Sequence, residues 1–364
     1  MNITKLIAKP LLALLFVTLS LHANAQHFKV KKIKDVVGDS ELEFLALTGT
    51  TVAENQINTY LQGKELEILP GKQKHDIFEN IRPKTGSTTG ITQLNYTVLV
   101  NNSKLFSVEV NNEYTSASLN EYSTTYNFDA QTGKLIQFSD LVTKEGYQAI
   151  RKFVIKSRKT KLSSHLKALK NSGEKESSTI DTYSGCLLEE DKDNLDPDDL
   201  KFQKTGLHLT RRSCSGSHYF QAFEEKINIY KNLLSIKFLE PYLNEYGKCL
   251  LAVPNTKCTY TNPAASLHLG VFKGKINQLY PITLLVTYLD KDSFQASYFY
   301  DKQGKEIRLS GSFDKDSSLL LKEAPSYEEN AKKKQEFFKL KVQADGSLAG
   351  SWNDGKNSYP VQLK

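Results

Sequence analysis

Phe294-Gln295-Ala296-Ser297-Tyr298-Phe299-Tyr300, then Lys302-Gln303-Gly304-Lys305, then Ile307-Arg308-Leu309-Ser310-Gly311-Ser312-Phe313, reads as strand, tight turn and strand. Glycine supplies the positive φ such a turn needs, and aromatic and branched side chains suit a pleated surface. The unit recurs on both sides. Strands are predicted near 267–273, 282–288, 294–300, 307–313, 319–322, 337–343, 348–352 and 359–363, with further hairpin sequences at Asp345-Gly346 and Asn353-Asp354-Gly355. Spacing of about ten residues is that of an up-and-down sheet or small barrel. Eight strands can close into a barrel that side chains fill, or that holds one small ligand. Phe294, Tyr298, Phe299, Tyr300, Phe313, Phe337, Phe338 and Trp352 leave three readings open: a filled interior, an aromatic outer face or a ligand cavity.

Upstream the pattern is mixed. Residues 41–50 read as a strand and Val52 to Leu61 as a short helix with Val52, Ile57, Tyr60 and Leu61 on one face. From Ile91 alternation marks three more strands: Leu94, Tyr96, Val98 and Val100 share one face, Leu105 to Glu109 follows, and then Tyr122 to Phe128. Asp140 to Lys170 then carries Ile150, Phe153, Val154 and Ile155 at helical spacing, an amphipathic helix able to pack across the sheet. Residues 171–179 read as a loop, and structure resumes at Leu200 with short strands and a turn near Leu243. The fold class is therefore an α+β domain, an antiparallel sheet with packed helix, followed by an all-β meander or small barrel. The expected division is 26–262 and 263–364, with Asn262-Pro263-Ala264-Ala265 as the linker.

The chain has 364 residues, 39% hydrophobic and 24% charged, which excludes a wholly disordered protein and suits two domains plus a leader. Lys5 and Lys9 precede an apolar run from Pro10 to Leu21, and Ala23-Asn24-Ala25 is a small-x-small cleavage signature. A signal peptide cleaved near Ala25-Gln26 is expected, with a periplasmic or secreted mature protein that does not span the membrane. The net charge of +7 loses the leader's two lysines and becomes mild. Export makes disulfides the default for the four cysteines. Three pairings are open. Cys186 with Cys214 and Cys249 with Cys258 is favoured, because Val253-Pro254-Asn255 could turn the short second loop back on itself. The rival is zinc at Cys214 and His218, which lacks a second ligand pair.

Charge is unevenly spread. Arg151 to Lys170 holds eight basic residues and no acid, and Glu189 to Asp199 seven acids and one lysine. This reads as a solvated helix face beside an acidic loop, ahead of a patch for an anionic polymer. A calcium loop at Asp191 to Asp196 fails because Leu195 and Asp196 stand where a ligand and the turn glycine belong.

Leu105-Phe106-Ser107-Val108-Glu109-Val110 and then Tyr126-Asn127-Phe128-Asp129-Ala130-Gln131-Thr132-Gly133-Lys134-Leu135-Ile136-Gln137-Phe138-Ser139-Asp140-Leu141 carry a resemblance. With Phe202 to Leu209 and Leu243-Asn244-Glu245-Tyr246-Gly247, they resemble a bacterial extracytoplasmic family of unknown function, over about residues 40–247. That family occurs beside polysaccharide deacetylases and forms the lysozyme-sensing part of some anti-sigma factors. The resemblance implies an α+β fold, an extracytoplasmic location and, weakly, lysozyme binding. Its most specific piece is a structural turn in which Asp129 and Gly133 shape the hairpin and Asp140 is placed to cap the next helix. Many relatives carry a glycine-rich turn ending in His where this chain has Ala117 to Tyr122, so no role of that His transfers.

No catalytic residues, cofactor or metal ligands are expected. There is no Gly-x-Ser-x-Gly elbow and no phosphate loop, and the histidines form no paired ligand motif. Nucleic acid is not an expected partner after export, and no basic-aromatic interleaving occurs. The functional expectation is an exported, non-catalytic binding protein of the cell envelope, its partner an envelope or extracellular protein or glycan. Two alternatives stay open: a small ligand in a lipocalin-like barrel, and a glycan hydrolase using Glu109, Glu113 or Glu121, which would need two carboxyls about 5–10 Å apart.

Overall fold

The computed structural model describes residues 27–37, 40–73, 76–116, 118–171, 177–192, 195, 200–211, 214, 224, 228–251, 258–260, 266–324 and 336–364. The leader, the proposed linker, His218 and half of the calcium-like stretch at 191–196 lie outside these residues.

Five strands form the first sheet in sequence order: β1 (Val30–Val37), β2 (Ser40–Leu47), β3 (Gly90–Asn101), β4 (Leu105–Thr115) and β5 (Leu119–Asp129). All pairs are antiparallel except β2 with β3, which touch only at Glu41↔Gln93 and Leu42↔Leu94. The strand β1 is absent from the sequence reading. Its Val-Lys-Lys-Ile-Lys pattern is too charged to score as a strand, yet lysines on an edge strand are what deters pairing with another chain. Lys32 and Lys34 also reach Glu43 and Glu41 at 2.8 and 2.6 Å.

Helix α1 (Val52–Glu65) begins at a capping box: Glu54 N donates to Thr51 Oγ1 at 3.2 Å, and Thr51 N donates to Glu54 Oε2 at 3.2 Å. Its Ile57, Tyr60 and Leu61 pack on Phe106, Val108, Tyr126 and Phe128 of the sheet. The same core takes in Val271, Leu285 and Phe299, which point outward from the C-terminal barrel. Gln56 Nε2 donates to Val271 O at 3.1 Å, and Arg308 ion-pairs with Glu67. The helix is thus sandwiched between sheet and barrel, and each large apolar side chain buried there contributes about 1.5–3 kcal/mol as an upper estimate.

The opposite sheet face is closed by a second unit. Helix α2 (Lys144–Asn171), helix α3 (Ser177–Glu189) and the small sheet β6 (Leu200–Gln203), β7 (Gly206–Leu209) and β8 (Asn232–Ser235) surround Leu105, Ile136, Phe138, Leu141, Ile150 and Val154 or extend that cluster. Residues 171–179 were expected as a loop, but α3 already starts at Ser177. Ser177, Ser178 and Thr179 are cap-type residues, and Ile180, Tyr183 and Leu187 follow at helical spacing.

The C-terminal part is a closed antiparallel barrel of β9 (Gly270–Ile276), β10 (Tyr280–Leu289), β11 (Ser293–Tyr300), β12 (Glu306–Phe313), β13 (Leu319–Glu323), β14 (Phe337–Val342), β15 (Leu348–Asn353) and β16 (Ser358–Leu363). The strands β9 and β16 close it through Val361↔Ile276 and Leu363↔Gly274. Period-two alternation decides what faces in. Ile282, Leu284, Val286, Phe294, Ala296, Tyr298, Leu309, Leu321, Phe338, Leu340, Leu348, Val361 and Leu363 fill the interior, all buried. Of the three aromatic readings, the filled interior holds for most of the barrel's length. Phe299 instead faces out onto α1.

Candidate functional site

The family-like motifs meet in one place. Asp129, 1% exposed, accepts on Oδ1 from Gln131 N, Thr132 N and Thr132 Oγ1 at 3.0, 2.8 and 2.9 Å. Its Oδ2 accepts from Tyr246 OH at 2.8 Å. Gly133 holds φ +74° with Ala53 O and Cα directly beneath it, so a side chain there would strike the α1 backbone. Asp140 closes a 3-10 turn by accepting from Gln137 N at 2.8 Å, and takes Tyr260 OH on its other oxygen at 3.0 Å. It does not cap α2. That helix starts four residues later, at Lys144, and the preceding Thr143 accepts on Oγ1 from Gly146 N at 3.0 Å. Asn244 Nδ2 donates to Asp140 O at 2.9 Å, and Gly247, on helix α4 (Glu245–Leu251), packs against the Leu141 carbonyl with no room for a Cβ. Burial, then the carboxylate of Asp129, pushes the Tyr246 phenol far up; burial raises Asp140. These groups are consumed by each other, so the arrangement is a lock joining hairpin, α2 and α4.

The cysteines are placed at disulfide distance as Cys186 with Cys214 and Cys249 with Cys258, with Cα separations of 5.6 Å in both. Cys214 is therefore committed to sulfur, which removes the zinc reading at that residue. Among the described residues no group of three or more His, Cys, Asp or Glu is placed to hold a metal ion.

The basic helix is partly neutralised from within. Arg158 is 1% exposed and donates from Nε to Asn232 Oδ1 at 3.1 Å. Arg158 and Arg211 both lie over the Tyr230 ring, and Arg211 pairs with buried Glu190 at 2.8 Å. Lys159 reaches Asp191 at 2.7 Å. Asp191 thus faces α2, in keeping with a solvated helix face beside acidic residues. Glu109 pairs with Lys201, while Glu113 stands directly opposite Glu121 in the β4–β5 register. All three carboxylates lie on one sheet face rather than on opposing walls, which does not match the two-walled geometry of a glycosidase.

At one end of the barrel the β9–β10, β11–β12 and β15–β16 turns come together. A cavity of about 780 Å³ sits there, lined by Tyr280, Tyr300, Trp352 and Tyr359, by Ile276, Leu279 and Pro281, and by Asn277, Lys302, Gln303 and Asp354. Trp352 and Tyr359 are cross-strand partners whose rings lie 5.8 Å apart at 31°. Asn277 and Gln278 hold left-handed backbone at φ 51° and 57°, a conformation costing about 1 kcal/mol or more per residue, and the turn presents Leu279 and Tyr280 at 69% and 55% exposure. The floor is closed. Tyr298, fully buried, stacks edge-on against Phe338 at 5.1 Å and donates to Glu323 Oε1 at 3.2 Å. Burial pushes the Tyr298 and Tyr300 phenols up, so both remain neutral. Trp352 Nε1 is buried and meets no hydrogen-bond acceptor among the described residues.

Sequence reasoning picked out Tyr300 and Trp352 only as members of an aromatic set, and Lys302 and Gln303 only as turn residues. Counting back across the Asn353-Asp354-Gly355 hairpin would have paired Trp352 with Tyr359. That the three turns share one end follows from closure, which no single hairpin reveals.

No protein-family model matches the chain, and no curated protein does. Solved structures similar to it include two of DUF3298 family members. One, from Bacteroides fragilis, is 10% identical over 61% of this chain and 96% of its own, with a TM-score of 0.38. The other, from Pseudomonas aeruginosa, is 12% identical over 60% of this chain and 95% of its own, also with a TM-score of 0.38.

Proposed function

We propose that this is an exported, non-catalytic binding protein of the bacterial cell envelope that takes a small ligand at the open end of its barrel. The observation that carries the reading is the mouth itself: about 780 Å³ lined by four aromatic rings, with the amides of Asn277 and Gln303 at its rim. Ligand sites are concave, mostly apolar and marked by a few placed polar groups, typically at about 300–1,000 Å³. Export is supported by the leader sequence and by two cysteine pairs at disulfide distance. The partner recognition implied by the family resemblance gains nothing from the shared motifs, because Asp129, Asp140, Asn244 and Tyr246 are occupied internally.

Native mass spectrometry of the purified protein, with and without the amphipathic dye anilinonaphthalene sulfonate, tests this. One tightly retained small molecule or one dye per chain is expected, with dye binding lost when Tyr359→Ala and Tyr300→Ala are combined. Absence of any saturable binding by the folded wild type would overturn it.

A further inference from the structure

We infer that the barrel mouth takes a hydroxylated ring of pyranose type, either a free sugar or one unit of a longer glycan; this rests on the small-ligand reading above. Depth is the first argument. Below Trp352 the barrel is plugged by Tyr298, Phe338 and Leu284, each at most 1% exposed, so an acyl chain has no channel to enter. What fits is compact and sits across the opening.

The chemistry of the walls is the second. Trp352 and Tyr359, cross-strand neighbours tilted by 31°, with Tyr300 and Tyr280 beside them, offer aromatic faces. A sugar ring presents carbon-bound hydrogens on one face and hydroxyls around its edge, so one molecule uses both the rings and a polar rim. The rim is of the right kind. Asn277 and Gln303 each offer an amide donor and acceptor, and Lys302 offers donors, none of them engaged through the side chain with another described residue. Asp354, whose Oδ1 accepts from Lys356 N and Asn357 N at 2.7 and 2.6 Å, keeps its negative charge and sets it against the positive charge of Lys302 in the same rim. Amides and one lysine offset by one carboxylate suit a neutral ligand that both donates and accepts. The exposed Leu279 and Tyr280 leave the mouth open, so a glycan can continue outward from the bound unit.

Dye displacement distinguishes the outcomes. Anilinonaphthalene sulfonate bound to the protein is titrated with chitotetraose, cellotetraose and maltotetraose, and separately with palmitate, while monosaccharides distinguish a free sugar from a glycan. At least one saccharide is expected to displace the dye saturably, and palmitate to leave it. Gln303→Ala should keep dye binding and the far-UV spectrum but weaken the competing saccharide about tenfold, the effect of one lost hydrogen bond. Dye that binds at the mouth yet resists every saccharide, or yields to palmitate, overturns the ligand class and leaves the binding reading standing. Dye that does not bind, with Trp352 emission unmoved by every saccharide, overturns both.

Discussion

Tyr246→Phe isolates the lock that the shared motifs build. The change removes one hydroxyl, which donates to Asp129 Oδ2 at 2.8 Å, and keeps the ring that packs against Tyr260 with centroids 5.3 Å apart. Asp129 is 1% exposed and its Oδ1 is already used by three donors, so Oδ2 loses its partner without gaining water. A hydrogen bond to a buried charge is worth about 1.5–3 kcal/mol, so a loss of about 2 kcal/mol is expected. On a unit of this size that corresponds to roughly 4–8 °C in Tm. Urea unfolding followed by circular dichroism measures the loss, and Trp352 emission reports the barrel separately. A cycle with Asp129→Asn should give a coupling of about 1–2 kcal/mol. A single-variant effect below about 0.5 kcal/mol, or strict additivity in the cycle, would refute the claim that these residues are consumed by the fold.

Two further outcomes follow from buried groups and cross-links. Burial raises Glu65, which accepts from Tyr126 OH, above its ordinary 4.5. The stability tied to that raised value is complete below about pH 4.5 and is lost as pH rises through the folded value, so between about pH 5 and pH 7 the wild type should lose stability that Glu65→Gln does not, read by urea unfolding at both pH values. The cysteine pairs close spans of 28 and 9 residues. On a chain-entropy account, replacing Cys186 and Cys214 by Ser should cost about 3.5 kcal/mol and replacing Cys249 and Cys258 about 2.5, with the order of the two checked by denaturant midpoints.

The barrel was legible because its turns carry glycine or Asn-Asp-Gly sequences and its strands alternate, so element type and count follow from period alone. Strand β1 was not, since an edge strand is selected for charge that hides its own pattern. Helix α3 was hidden by a Ser-rich start that scores as loop, and only its packing of Tyr183 and the Cys186 link reveal why it forms. Alternation showed which aromatics share a face but not which face points at α1: Phe299 and Leu285 are core of the first domain, not of the barrel. The mouth was the least legible. Its lining comes from three turns separated by up to eighty residues, and Trp352 looks in sequence like any other core aromatic.

Because Trp352 is the only tryptophan in the chain and lines the mouth, its emission locates a bound molecule directly. The measurement is energy transfer from Trp352 to anilinonaphthalene sulfonate across a titration to saturation. A ligand seated on the aromatic lining predicts near-complete loss of tryptophan emission at one dye per chain, restored by a competing saccharide. Saturable dye binding that leaves Trp352 emission unchanged would place the site elsewhere and contradict the account.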